Sequence, residues 1–335
     1  PPMTTGSSGC EQDDRCYIAG AFDQNVAIGD LDGDGHHDIV VPHDNAYVSI
    51  HHGTGEAFDT SDDLPSVKTP GVRYLHDLAL TQQGWPDNEA TDLQAHFTNT
   101  PPAIADLDGD DQYDVIMIAS VQNASQDDRL KGVALWAIHG DASRLAHFET
   151  PIHFPDYLAG LWDLGDNMVA ATNQVTVADI DPTRPGPELI FAGFDGRIHA
   201  VDATGQELWF MTYTQSETVL TNGVAVADLS GDGLPEVVFN SHSLSDDESS
   251  LFILDAGGNV QQEVPLPRRG SMAVPTIGDV DGDHQLEIVV SLKDAEDQVE
   301  SVLVYTVPGS SDNCLLWPTG RGNLLRNGWV RNAGD

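Results

Sequence analysis

The stretch "GDLDGDGHHDIVV", from Gly29 to Val41, places aspartates at positions 1, 3, 5 and 9 of a loop and then becomes apolar. Aspartate and glycine both favour turns, so a single loop of this kind is explained equally well by a solvated acidic turn. This stretch, however, is repeated. Closely related segments begin at Pro102, Val224 and Pro275, and a degraded copy begins at Val175. The recurrence indicates a repeat protein in which each copy forms one structural unit.

The spacing of the copies predicts a β-propeller. Each unit is predicted to contain a short strand, the acidic loop, a second apolar strand and a third strand that ends in a Gly turn, and Gln206–Thr214 suggests a fourth strand. Four antiparallel strands at a period of about 50 residues are typical of a propeller blade. We therefore predict an all-β propeller with five readable blades and leave six or seven open. Intervals of 76, 73, 49 and 51 residues separate the leading aspartates, Asp30, Asp106, Asp179, Asp228 and Asp279.

The repeats also predict the organisation of the chain. Residues 1–21 form an N-terminal segment that a disulfide between Cys10 and Cys16 could close, although either cysteine could instead pair with Cys314. Residues 22–310 form the propeller, and residues 311–335 form a Trp-Pro segment that could close the ring. Helix is compatible only with residues 71–84. The surplus residues are assigned to insertions at 59–86, 122–131 and 155–167, although a degenerate blade between residues 58 and 100 is an alternative.

The charge of the chain excludes some partners. It has 54 acidic and 14 basic residues among 335, a formal net charge of −40, which disfavours attraction to the phosphates of nucleic acid. No apolar run reaches the roughly 18 residues that a membrane span needs. The sequence begins at Pro1, so we expect a trimmed, mature form. We expect it to be secreted, periplasmic or on the cell surface.

The repeated loops are predicted to bind calcium. This ion needs six to eight oxygen ligands, and carboxylates at positions 1, 3, 5 and 9 with a backbone carbonyl at position 7 can surround it. Several carboxylates so close together repel one another without a counter-ion. We therefore predict about four Ca²⁺ ions. The predicted ligands are Asp30, Asp32, Asp34, His36 and Asp38; Asp106, Asp108, Asp110, Gln112 and Asp114; Asp228, Ser230, Asp232, Leu234 and Glu236; and Asp279, Asp281, Asp283, Gln285 and Glu287.

The third copy departs from this pattern. Asp179 and Asp181 remain, but Thr183 replaces the acid at position 5 and Glu188 arrives one residue late. This loop is therefore the weakest candidate for an ion. An EF-hand is excluded for the other copies, because position 12 is apolar in each of them and an EF-hand needs a glutamate there and flanking helices.

The loops and their flanking strands resemble the FG-GAP and VCBS-type repeats of bacterial secreted proteins, which are related to the propeller head of integrin α chains. The resemblance covers about Val26 to Thr306 and implies that each loop joins the first two strands of a blade and holds calcium on one face of the propeller. Clear Phe-Gly and Gly-Ala-Pro elements are absent from the sequence, so integrin-like ligand recognition is not implied. The tail at 317–328 is similar to Trp-Pro segments that flank blades in bacterial relatives.

The sequence gives little support for catalysis. No hydrolase, zinc-protease or phosphate-binding motif is present. Aligning the third strands places His51 and His139 where later copies have Asp202 and Asp255, and we interpret all four as interchangeable polar turn residues. A metal site built from His43, His51 and His52 has no recognised spacing.

Tryptophans supply further candidate contacts. Trp136 and Trp209 lie in strand patterns and are predicted to be core, whereas Trp85 and Trp162 lie in or beside insertions and are candidates for ligand contact. Residues 196–210 are similar to a blade of quinoprotein dehydrogenases, but they occur once and a quinone site needs several blades.

The predicted function is therefore a non-enzymatic binding or adhesion module for a protein or glycan. One alternative is a polysaccharide-active lyase or hydrolase with its site on the propeller axis, since propellers also carry such enzymes. Another is a structural subunit of a surface assembly.

Overall fold

A computed structural model shows an all-β protein, with 24 strands and no helix in the part of the chain that it describes. That part comprises residues 25–42, 48–56, 58, 94–96, 100–122, 130–141, 143–158, 161–164, 167–170, 174–244, 248–293, 301–310, 314–323 and 325–330. The chain divides into two compact units. The first consists of residues 1–157, 161–172 and 327–335, and the second of residues 158–160 and 173–326.

The first unit contains a three-stranded sheet, a five-stranded sheet and a hairpin, all antiparallel. The three-stranded sheet has the order β1 (Ala27–Gly29), β2 (Asp38–Pro42), β3 (Val48–His51). In the five-stranded sheet, β4 (Gln94–His96) and β5 (Ala103–Ala105) both pair with β6 (Asp114–Gln122), which is followed by β7 (Leu130–His139) and β8 (Ile152–Phe154). The hairpin is β9 (Leu161–Leu164) with β10 (Asn167–Ala170).

The second unit contains a complete four-stranded meander of the predicted kind, β11 (Val175–Ala178), β12 (Glu188–Ala192), β13 (Arg197–Val201) and β14 (Glu207–Thr212). The next repeat gives β16 (Ala225–Ala227), β17 (Glu236–Asn240), β19 (Ser249–Leu254) and β20 (Val260–Leu266), and β24 (Leu315–Trp317) is added beside β16. The last repeat gives three strands, β21 (Thr276–Gly278), β22 (Leu286–Ser291) and β23 (Val302–Val307). A short pair joins β15 (Val219–Leu220) to β18 (His242–Ser243).

Burial follows the position of each strand in its sheet. The strands β6, β7, β11 and β12 are almost entirely buried along their described side chains, which matches their continuous apolar runs. By contrast, β23 alternates between exposed and half-buried residues, as expected for an edge strand with one face on a core. Trp136 is fully buried, so its predicted core position is confirmed, and Trp209 is half-buried and donates from Nε1 to the Ala256 carbonyl.

The C-terminal segment adds backbone to the first strands of the repeats. In the second unit, β24 pairs with β16, and the amide of Ile277 in β21 donates to the Pro318 carbonyl. In the first unit, the amides of Ile28 and Ile104 donate to the carbonyls of residues 327 and 328. The segment therefore covers the free edges of first strands in each unit. Closure of a ring by this segment stays a prediction.

Several sequence interpretations fall outside the described residues. These include the helix-compatible stretch at 71–84, the insertion at 59–86, Trp85, and Cys10 and Cys16; Cys314 is described and exposed. The interpretation of residues 155–167 as a plain insertion is incomplete, because that segment contains β9 and the start of β10. Local strand patterns there are too short to distinguish a hairpin from a loop.

Candidate metal-binding loops

Each acidic loop joins the first two strands of a repeat, as the sequence predicts. Loops one to five lie between β1 and β2, β5 and β6, β11 and β12, β16 and β17, and β21 and β22. In loops one, two, four and five, positions 4 and 6 have positive φ, which explains the glycines that occupy most of these positions. Loops two and five place Asp111 and His284 at position 6 with φ of 67° and 68°, a conformation that aspartate tolerates better than most residues.

The carboxylates at positions 1, 3 and 5 fold the loop around themselves. At position 1, Asp279 accepts from the amides of Gly282 at 2.7 Å and His284 at 3.1 Å. Position 1 makes the corresponding contacts in loops two and four. At positions 3 and 5, each described aspartate accepts from the amide two residues further on, as Asp281 and Asp283 do. Aspartate therefore does serve as a turn former here.

The acid at position 9 has a different and buried role. One of its oxygens accepts from the amide at position 2 in every loop. Loop three keeps this bond although Glu188 arrives one residue late, because its Oε2 accepts from the amides of Ile180 at 2.8 Å and Asp181 at 3.2 Å. Four of these acids are nearly inaccessible, with Asp114 and Glu188 at 0% exposure and Asp38 and Glu287 at 1%, whereas Glu236 is half-buried.

Three loops bring carboxylates together closely enough to share a cation. The groups are Asp30, Asp32 and Asp34 in loop one, Asp106, Asp108 and Asp114 in loop two, and Asp279, Asp281 and Glu287 in loop five, each with ligand atoms within 4.8 Å of one another. Oδ1 of Asp30 and Oε1 of Glu287 are buried and have no hydrogen-bond partner among the described atoms. These oxygens are suited to a cation, since a buried carboxylate oxygen without a partner is costly.

Burial raises the pKa of several of these carboxyls. The pKa of Asp114 rises to about 7, because desolvation outweighs the Leu107 amide and the neighbouring His139. Desolvation likewise raises the pKa of Asp38 and Glu236. A bound cation would reverse this effect by favouring the ionised form.

Loop three supplies its own positive charge. Arg184 Nε lies 3.0 Å from Asp181 Oδ2, and hydrogen bonds from Thr183 together with Arg184 lower the pKa of Asp181. The described residues of loop three and of loop four form no group of three converging ligands. In loop four, Ser230 replaces the aspartate at position 3, so this loop has one carboxylate fewer than loops one, two and five.

The alignment of His51 with His139 is wrong by one residue. His139 pairs with Asp114 across the ladder, whereas His51 pairs with Ile39, so that His52 follows opposite Asp38. His52, His139, Asp202 and Asp255 each donate their amide to the carbonyl four residues on, which identifies them as equivalent turn residues. His51 and His52 are consecutive, and the sequence alone does not show which of them faces the loop, because that depends on the register between β2 and β3.

Both equivalent imidazoles approach the acid at position 9. His139 Nδ1 lies 3.0 Å from Asp114 Oδ1, and His52 Nδ1 lies 3.4 Å from Asp38 Oδ1 and 3.5 Å from Asp32 Oδ2. The two histidines also line one cavity of about 490 Å³ in the first unit. Its wall includes Asp32, His52, Phe58, Asp110, Tyr113 and His139.

Comparisons with known proteins give only distant likenesses. No protein-family model matches the chain, and no curated protein matches it. Rhamnogalacturonan lyase YesW has 17% identity and a TM-score of 0.49 over 89% of this chain and 51% of that one. The exotype rhamnogalacturonan lyase YesX has 18% identity and a TM-score of 0.49, covering 89% of this chain and 49% of the lyase. The V. cholerae biofilm matrix protein Bap1 has 14% identity and a TM-score of 0.37, and the match covers 91% of this chain and 81% of Bap1.

This chain therefore spans about half the length of the two lyases. At these TM-scores the likeness assigns neither a family nor an activity to the chain. Within the described residues, the structure has no helix that is long and apolar enough to cross a membrane.

Proposed function

We propose that this chain is a calcium-stabilised β-propeller of the FG-GAP and VCBS type, located outside the cytoplasm, that binds a protein or glycan on the side of its acidic loops. The convergence of three carboxylates in each of loops one, two and five is the observation that carries the metal part of the proposal. Oxygen-only groups of this size match the preference of calcium for hard ligands.

The loops gain the most from a cation where their acids are buried. In loop five, Glu287 is 1% exposed and one of its oxygens already accepts from the Val280 amide at 2.9 Å, while Oε1 has no described partner. A cation at that oxygen would satisfy it and would also offset the repulsion from Asp279 and Asp281. Calcium therefore has a structural role in the proposal, because it links strands through the loop that joins them.

The binding role is supported by the cavity beside loops one and two. Its volume of about 490 Å³ falls in the usual range for small-ligand pockets. The wall combines the aromatic rings of Phe58 and Tyr113 with polar groups, a combination that suits the apolar and hydroxyl faces of a sugar. Calcium in the adjoining loops would hold this wall rigid, and rigid sites bind with a smaller ordering cost.

Titration of the metal-free chain with calcium tests the metal part directly. With dissociation constants of about 0.1–1 mM, about 10 mM calcium contributes roughly 1.4–2.7 kcal/mol for each occupied loop. For three loops in a chain of this size, chelation should lower the Tm by about 5–10 °C. Magnesium at the same concentration is the control for ionic strength. An identical melting curve in excess chelator would contradict the proposal.

A glycan array with calcium present tests the binding part, with Asp141→Asn and Ser143→Ala as variants of the cavity wall. The affinity for the glycans that bind the unmodified protein should fall at least tenfold in one of these variants.

The second candidate is a polysaccharide-active enzyme, which the imidazole and carboxylate groups on the same wall favour, since such groups transfer protons. The array hits should then be incubated with the protein. Accumulation of new reducing ends or unsaturated products would replace the binding role by an enzymatic one.

A further inference from the structure

We propose that loop one holds a first-row transition-metal cation, such as zinc, through His52 together with Asp32 and Asp38. This inference rests on the proposed function only in that it uses a cation-binding loop, and it changes the metal and the ligand set of that loop. The sequence offers no sign of it, because His52 lies on the third strand, 14 residues after Asp38.

His52 is free to face the loop because another residue caps its turn. In the third and fourth repeats, Asp202 and Asp255 occupy the same turn position and accept from the amides of their own turns. In the first repeat, Thr54 Oγ1 accepts from the Glu56 amide instead. The His52 ring packs against Phe58 with centroids 4.1 Å apart, which fixes its direction.

The distances suit ligands of one small cation better than a hydrogen bond. His52 Nδ1 lies 3.5 Å from Asp32 Oδ2 and 3.4 Å from Asp38 Oδ1, beyond the usual hydrogen-bond range. Ligands bound tetrahedrally at about 2.0–2.2 Å from zinc are separated by about 3.3–3.6 Å. All three ligand atoms lie within 4.8 Å of one another.

The donor set and its surroundings point the same way. An imidazole nitrogen with two carboxylates favours zinc and its neighbours, whereas calcium prefers oxygen alone. Asp38 is 1% exposed, but His52 and Asp32 are each 35% exposed and border the cavity, so a metal has a path of entry. In loop two, the equivalent His139 also lies within 4.8 Å of ligand atoms of Asp108 and Asp110. Its Nδ1, however, is 3.0 Å from Asp114, within hydrogen-bond distance, a bond that loop one lacks.

The experiment titrates the full chain with zinc while calcium is held at saturation. We expect one zinc ion whose dissociation constant rises at least tenfold in His52→Asn. Asparagine places its side-chain amide near the position of Nδ1. The substitution removes the imidazole nitrogen ligand and offers in its place an amide oxygen, which suits calcium. The matched control is His147→Asn, since His147 is exposed, belongs to none of the metal groups, and has a φ of 71° that asparagine tolerates.

A second readout uses the unmodified protein and does not depend on the folding of a variant. Nitrogen-15 NMR of labelled histidines should show the ring signals of His52 moving with zinc and staying in place with calcium. Equal zinc binding by both variants, or an unmoved His52 signal, would overturn the inference. Those results would leave calcium binding and the calcium-dependent Tm intact, so failure of this inference is distinguishable from failure of the proposed function.

Discussion

A buried histidine in the second unit gives the sharpest test of how the fold uses its charges. His199 in β13 is 3% exposed, and both ring nitrogens face carboxylates. Nδ1 lies 2.7 Å from Glu207 Oε1, and Nε2 lies 3.1 Å from Asp195 Oδ2. Arg197 also pairs with Asp195 at 3.3 Å, and the rings of Phe191 and Phe210 flank the imidazole.

The two carboxylates should make stability depend on pH in a defined direction. Burial opposes protonation of His199, but the hydrogen bonds to Asp195 and Glu207 outweigh it and raise the pKa above its ordinary value of 6.5. This contribution is therefore fully present below pH 6.5 and is lost as the pH rises through the folded value. Burial also opposes ionisation of Asp195, yet His199 lowers its pKa below 3.8, so its contribution is lost as the pH falls through that value.

His199→Gln removes the charge and keeps a polar side chain. Breaking a buried, hydrogen-bonded charge pair costs about 3–5 kcal/mol, and we expect the lower end because Arg197 still accompanies Asp195. For a chain of this size, that corresponds to a Tm lower by about 4–5 °C near pH 6. The exposed Glu207 adds little, since solvent screens it.

The assay is chemical denaturation of both proteins from pH 5 to pH 8 in constant calcium. The difference in free energy of unfolding should be largest at the acidic end and should shrink as the pH rises above 6.5, whereas effects of the loops cancel in the difference. A pH-independent difference, or an NMR titration that gives His199 a pKa below 6.5, would refute the reasoning.

Three further outcomes are expected. In denaturant titrations, Gly29→Ala should destabilise the chain by about 1–3 kcal/mol, because the added Cβ would lie 3.0 Å from the indole of Trp329. Gly278→Ala should be near neutral, because its Cβ meets nothing within 4 Å. Trp317→Ala, at 2% exposure, should cost about 3–5 kcal/mol; a loss under 1 kcal/mol would contradict its core position. Asp32→Ala and Asp108→Ala should each reproduce part of the Tm loss caused by chelator, and their residual response to chelator should be smaller than that of the unmodified chain.

The strands and loops were predictable because their signals are local. Apolar runs on both sides of an acidic turn recur at matched offsets, and the structure places strands there in all five copies. The residue before the leading aspartate is small in every copy. At Gly29 an added Cβ would meet the side chains of Trp329 and Ile104, whereas at Gly278 it would meet nothing within 4 Å.

The predicted metal ligands agree with the structure in some loops and not in others. Loops one, two and five bring carboxylates together, while the predicted ligands of loop four do not form such a group among the described atoms. The sequence identified loop three as the weakest candidate because an acid is missing from it, and the structure adds an ion pair as a second reason. Arg184 pairs with Asp181 at 3.0 Å and supplies the positive charge that the other loops lack.

The sequence by itself determined the all-β class, the repeat, and the acids with the glycines that allow the loop to turn, because each depends on residues within about ten positions of one another. Tertiary structure alone decided that His52 rather than His51 faces loop one, and that the tail lies along the first strands. Strand register and long-range packing set these contacts, and a shift of one residue reverses which side chain points toward the loop.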